Sequence, residues 1–118
     1  MELSTLEPGH LLADRDIVIT SSMADAYIRA VGDECSLYAD EGLVPPMAVA
    51  ALVMAQAMEA VSLPAGTVHT GQELTFSRPV AADSAVRCSA TVAANSVRRG
   101  TRFLALDLRG ELDGAAAV

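Results

Sequence analysis

The chain has no lysine: its eight cations are all arginines, they face fifteen carboxylates, and the formal net charge is −7. Aromatic residues make up only 3% of the sequence. A nucleic-acid binder needs a basic footprint and stacking rings, so this composition excludes that class. Cysteine is scarce too. Cys35 and Cys88 are too few and too far apart for a disulfide framework, and no Cys/His spacing resembles a metal site, so both are expected as reduced thiols. Long apolar runs are also missing. The longest candidate is interrupted by Pro45, Pro46, Gln56 and Glu59 and falls short of the roughly 20 residues of a membrane-spanning helix. The first residues, MELSTLEPGH, lack the basic start and apolar stretch of a signal peptide, so the expected location is cytoplasmic.

What is present points to one domain over residues 1–118, a length that buries roughly two thirds of the unfolded surface. Hydrophobic residues reach 52% and charged residues only 19%, which implies that a partner chain covers some apolar surface. An oligomer is expected. The charge is uneven: residues 1–70 carry ten carboxylates against Arg15 and Arg29, whereas residues 71–118 carry five against six arginines. An anionic ligand therefore suits the C-terminal half better.

DIVIT, residues 16–20, reads as a short strand leading to Ser21 and Ser22 as helix caps. Met23, Ala26, Tyr27, Ala30 and Val31 recur at helical spacing before Gly32 as a stop. Met47 to Val61, MAVAALVMAQAMEAV, has only Gln56 and Glu59 as polar residues and predicts a helix buried almost all round. From His69 the period changes to two. Leu74, Phe76 and Val80 mark one strand, Val86, Cys88, Ala90 and Val92 a second, and Leu104, Leu106 and Leu108 a third, with VRRGT as the turn before the last. Three strands in succession predict an antiparallel meander. The economical packing is α+β, a sheet curled around the apolar helix.

YIRAVGDECSLYADEGLVPPM, LPAGTVHTGQELTFSRPVAADSAV and the strands ending in LDLRGELDG together resemble the hot-dog fold. Within it they are similar to the MaoC-like hydratase and dehydratase family, in its N-terminal-half, FAS1-dehydratase-like type. The resemblance implies an antiparallel sheet wrapped around a long central helix and an acyl thioester of coenzyme A or acyl carrier protein as substrate, with no other cofactor. It also implies an acyl tunnel beside the central helix. In active relatives an aspartate and, five residues on, a histidine add water across a double bond conjugated to the thioester. A backbone N–H at the helix start polarises the carbonyl.

On this chain the aspartate falls on Asp33, the histidine position on Tyr38 and the N–H position on Pro46, which has none. A tyrosine can donate a proton or hold a carbonyl but is a poor base at neutral pH. Asp40, Pro46 and Met47 are expected on the substrate side of the same loop. His10 reads as solvated, and His69 as a hydrogen-bonded residue at a strand start. The resemblance therefore implies a subunit that shapes the tunnel while a catalytic hot-dog partner, in a heterodimer, carries the chemistry, or a degenerate homodimer. The last strand of the fold should follow Gly114, where only AAAV remains, so a short sheet edge is expected.

Other readings stay open. A hot-dog thioesterase would use Asp40 or Glu41 to activate water or attack the thioester. A ligand-binding protein without enzymatic activity would use the same groove. Cys35 as a nucleophile is disfavoured, because no histidine is near it in the sequence to activate the thiol. Arg98, Arg99 and Arg102 flank a turn and either hold the phosphates of the thioester carrier or are ordinary exposed charges.

Overall fold

In the computed structural model, which describes residues 2–118, the apolar helix α3 (Pro46–Ala60) starts where a proline stands at its first position. There the missing N–H removes no helical hydrogen bond. Ala48, Val49, Val53 and Ala57 turn one face of α3 onto a sheet and are buried. The sheet has four antiparallel strands in the order β1 (Leu11–Ile19), β4 (Ser84–Arg98), β5 (Thr101–Leu112) and β6 (Ala115–Ala116). Val86, Cys88, Ala90 and Val92 point from β4 to the helix and are at most 1% exposed. Gly110 on β5 allows the close approach, since a Cβ there would sit 3.1 Å from a Val53 methyl and 3.3 Å from a Val86 methyl.

Between β1 and α3 the chain forms α1 (Ser21–Val31), the one-turn α2 (Leu37–Glu41) and β2 (Leu43–Val44), which pairs with β3 (Val80–Ala81). The cap of α1 is Thr20, whose hydroxyl accepts the Met23 N–H at 3.2 Å, in place of the expected Ser21 or Ser22. Gly32 ends the helix at φ 69° as expected. β4 and β5 form one long hairpin closed by Arg99 and Gly100 at φ 51° and 77°, the two left-handed positions of a type I′ turn. On the outer face of the sheet Arg87 donates to both oxygens of Asp14 at 2.8 and 2.7 Å. This hydrogen-bonded pairing holds the Asp14 carboxyl below its usual range.

Three expectations are corrected. The first concerns α3, which is buried on one side only: Met47 is 46% and Met58 36% exposed, with Ala51 and Ala55 exposed between them. The sheet covers one face and α1 part of another, so an apolar stripe is left over. The second concerns the strand from His69 to Val80. Residues 62–79 form no strand, and only Val80 and Ala81 pair. A strand needs an edge, and β6 offers two residues: Ser77 N–H reaches Ala117 O at 2.8 Å, while Arg78 donates to Leu112 O and Ala115 O. The third concerns topology. The expected meander is a hairpin flanked by β1, which starts at Leu11 and not at Asp16. The short edge after Gly114 is present as β6. Among the described residues no helix is long and apolar enough to cross a membrane.

Candidate functional site

Two grooves flank α1, and each holds one of the chain's two tyrosines. The first lies between α1 and α3 and measures about 300 Å³. Ile19, Met23, Tyr27, Ala48, Ala51 and Leu52 are among its walls, so the Tyr27 hydroxyl is its one polar side-chain group. Helical spacing explains the pairing: Met23 and Tyr27 share a side of α1, as Ala48, Ala51 and Leu52 share a side of α3. The second groove, about 240 Å³, lies between α1 and the α2–β2 segment. Ser21, Asp25, Ile28 and Tyr38 line it together with Leu43 and Ala82.

Asp33 follows the αL cap of α1. Its N–H bonds Ile28 O at 3.1 Å, and its carboxylate accepts the Cys35 N–H at 2.9 Å. Such an Asx turn uses one carboxylate oxygen to fold the chain. Asp33 and Tyr38 make no hydrogen bond to each other, and Asp33 lines neither groove. Asp40 and Glu41 are exposed on α2 and also outside both grooves. His10 is exposed in the leader, where its carbonyl accepts the Val92 N–H, and His69 bonds Gly71 O at 3.0 Å in the segment without strand. No histidine stands in either groove.

The start of α3 carries a detail that the proline alone conceals. Ala48 and Val49 N–H both reach Pro45 O, at 2.9 and 3.3 Å, and Pro46 has no N–H. The Met47 N–H is therefore the donor in that first turn with no protein acceptor among the described residues. It lies next to Ala48, a wall of the apolar groove.

Arg98 and Arg99 stand far from this region within one chain. Gly42 at the end of α2 accepts the Ala82 N–H at 2.8 Å, two residues before β4 begins, whereas Arg98 closes β4. A strand of that length spans about 45 Å, close to the 51 Å long axis of the molecule. Arg102 has another partner: it donates to Asn95 at 2.8 Å, and Asn95 donates to Leu3 O and Leu6 O, both at 2.8 Å. Sequence reasoning missed Asn95, which joins segments about ninety residues apart, and Tyr27, whose spacing marked it only as a core-facing position.

A sheet laid around one helix with this strand order is the hot-dog fold. The crystal structure of protein af1124 from Archaeoglobus fulgidus superposes with a TM-score of 0.72 at 17% identity, covering 95% of this chain and 73% of that one. The (R)-hydratase from A. caviae involved in PHA biosynthesis superposes with a TM-score of 0.69 at 22% identity, covering 96% and 91%. No curated protein matches the sequence. The family described as FAS1-like, dehydratase domain region, matches residues 7–109, and the chain belongs to it. The resemblance read from GDECSLYADE and GQELTFSRPV is thereby borne out at the level of family and fold.

Proposed function

We propose that this chain is the acyl-chain-binding, catalytically degenerate subunit of an enoyl thioester hydratase or 3-hydroxyacyl thioester dehydratase, acting on coenzyme A or acyl-carrier-protein thioesters. The observation that carries this reading is the apolar groove between α1 and α3, whose wall residue Ala48 directly follows Met47, the residue whose N–H has no acceptor among the described residues. An acyl chain lies along Met23, Tyr27 and Leu52, and its thioester carbonyl accepts from Met47 N–H, at the positive end of a 15-residue helix.

Hydration of the conjugated double bond joins a water oxygen to the β carbon and a proton to the α carbon, so a base must take a proton from water. Asp33 holds the Cys35 N–H, Tyr38 is a phenol, and neither histidine is at hand. The chain alone binds the thioester without hydrating it, and a catalytic hot-dog partner restores turnover. Incubating the isolated protein with a medium-chain enoyl-CoA tests this. Hydration by the chain alone, abolished in Asp33→Asn, contradicts the degenerate role, and release of free thiol marks a thioesterase instead.

A further inference from the structure

The hydroxyl of Tyr27 interrupts an otherwise apolar groove, and nothing in the protein uses it. Its ring packs against the buried cluster that includes Ile19, Ala24 and Ala48, so the side chain is held along the wall. The oxygen has no hydrogen-bond partner among the described residues, and since none of their buried side-chain polar atoms lacks a partner, it is open to solvent. No carboxylate, histidine or arginine lines the groove with it. The phenol therefore has no group there to exchange a proton with, and stands as a hydrogen-bonding group. While the groove is open, water satisfies that group. An acyl chain that fills the groove expels the water and leaves the hydroxyl facing methylenes, an unfavourable way to bury a polar atom. An oxygen on the acyl chain at the same place restores the bond, because a phenol both donates and accepts.

We infer that the ligand of this groove is a thioester whose acyl chain carries an oxygen function, a hydroxyl or a keto group, part-way along its length, and that Tyr27 selects it. The inference rests on the function proposed above and narrows its substrate. A site that hydrogen-bonds a ligand oxygen discriminates against the analogue lacking it, because the protein group is then left unpaired. An oxygen on the β carbon belongs to the hydration reaction itself, so the selected one lies further from the carbonyl held by Met47. It also lies inside the groove. A space of about 300 Å³ holds about ten chain atoms, which limits the position to the first ten or so carbons.

Calorimetric titration with octanoyl-CoA, and with octanoyl-CoA hydroxylated at each of its last four carbons in turn, tests the selection. At one or more of these positions the hydroxyacyl thioester binds the wild type about five- to tenfold more tightly than octanoyl-CoA. In Tyr27→Phe the preference reverses. The ligand hydroxyl then has no partner, whereas octanoyl-CoA no longer strands a phenol and binds more tightly than to the wild type. A Tyr27 that served packing alone would shift all the ligands together. Circular dichroism reports the folding of the variant, and the wild-type comparison decides the matter by itself should the variant misfold. Saturable octanoyl-CoA binding with no gain from any hydroxyl, or a gain that survives in Tyr27→Phe, overturns the inference and leaves the proposed function standing. Failure of every thioester to bind overturns both.

Discussion

If the α1–α3 groove holds an acyl chain as proposed, chain length is its most direct readout. A space of about 300 Å³, at about 30 Å³ per heavy atom in a condensed liquid, holds about ten chain atoms. Complete burial of one methylene contributes about 0.8 kcal/mol. The groove is open along one side, so about half of that, ~0.4 kcal/mol per carbon, is the working value. Two further carbons then strengthen binding by ~0.8 kcal/mol, about fourfold, until the chain reaches about ten carbons. Beyond that length added carbons lie in water and contribute nothing. Calorimetric titration with butanoyl-, octanoyl-, dodecanoyl- and hexadecanoyl-CoA measures the rise and the plateau. Ala51→Phe, at an exposed wall residue, fills the groove from the side and moves the plateau to shorter chains while leaving butanoyl binding unchanged. An affinity indifferent to chain length, or a plateau that ignores Ala51→Phe, refutes the assignment of this groove.

Two further outcomes concern the scaffold. Gly110→Ala places a methyl 3.1 Å from Val53 and 3.3 Å from Val86, and overpacking of this kind costs about 1–3 kcal/mol. A denaturation midpoint equal to that of the wild type contradicts the close approach of α3. Burial pushes the Cys88 thiol up to about 11 from its model-compound value of 9.0. A raised folded-state value means that the contribution of the neutral thiol is complete below pH 9.0 and is lost as pH rises through about 11. At pH 8 a thiol reagent should therefore modify exposed Cys35 in the native protein and both cysteines only after unfolding. Rapid modification of both native thiols goes against this.

Much of the fold was legible because local signals and tertiary packing agree. The apolar run and the prolines mark α3 to within a residue, and alternation plus Arg99-Gly100 marks the β4–β5 hairpin. Alternation reports which face is apolar but not whether an edge exists to pair with. For that reason QELTFSRP, although patterned as a strand, remains without one beside the two-residue β6. The polar start of β1, LLADRD, carries no such alternation; its place in the sheet comes from pairing with β4, and Arg15 there reaches Gln56 and Glu59 on α3. Of the residues that the loop motif singles out, Tyr38 lines the second groove, whereas Asp33 and Pro46 line neither. The grooves themselves are not legible in that motif, because they arise where α1 meets α3 on one side and α2 on the other. Met47 N–H as the open donor follows from two bonds that converge on Pro45 O, a matter of backbone geometry that side-chain identities do not reveal.

The central claim is that the α1–α3 groove and the start of α3 together hold an acyl thioester. An amide-resolved NMR titration with octanoyl-CoA tests it most directly. Saturable shifts are expected at Met23, Tyr27, Met47, Ala48 and Leu52, the Met47 amide moving furthest because it gains a hydrogen bond. Shifts confined to the Tyr38 groove, or none at saturating ligand, contradict it.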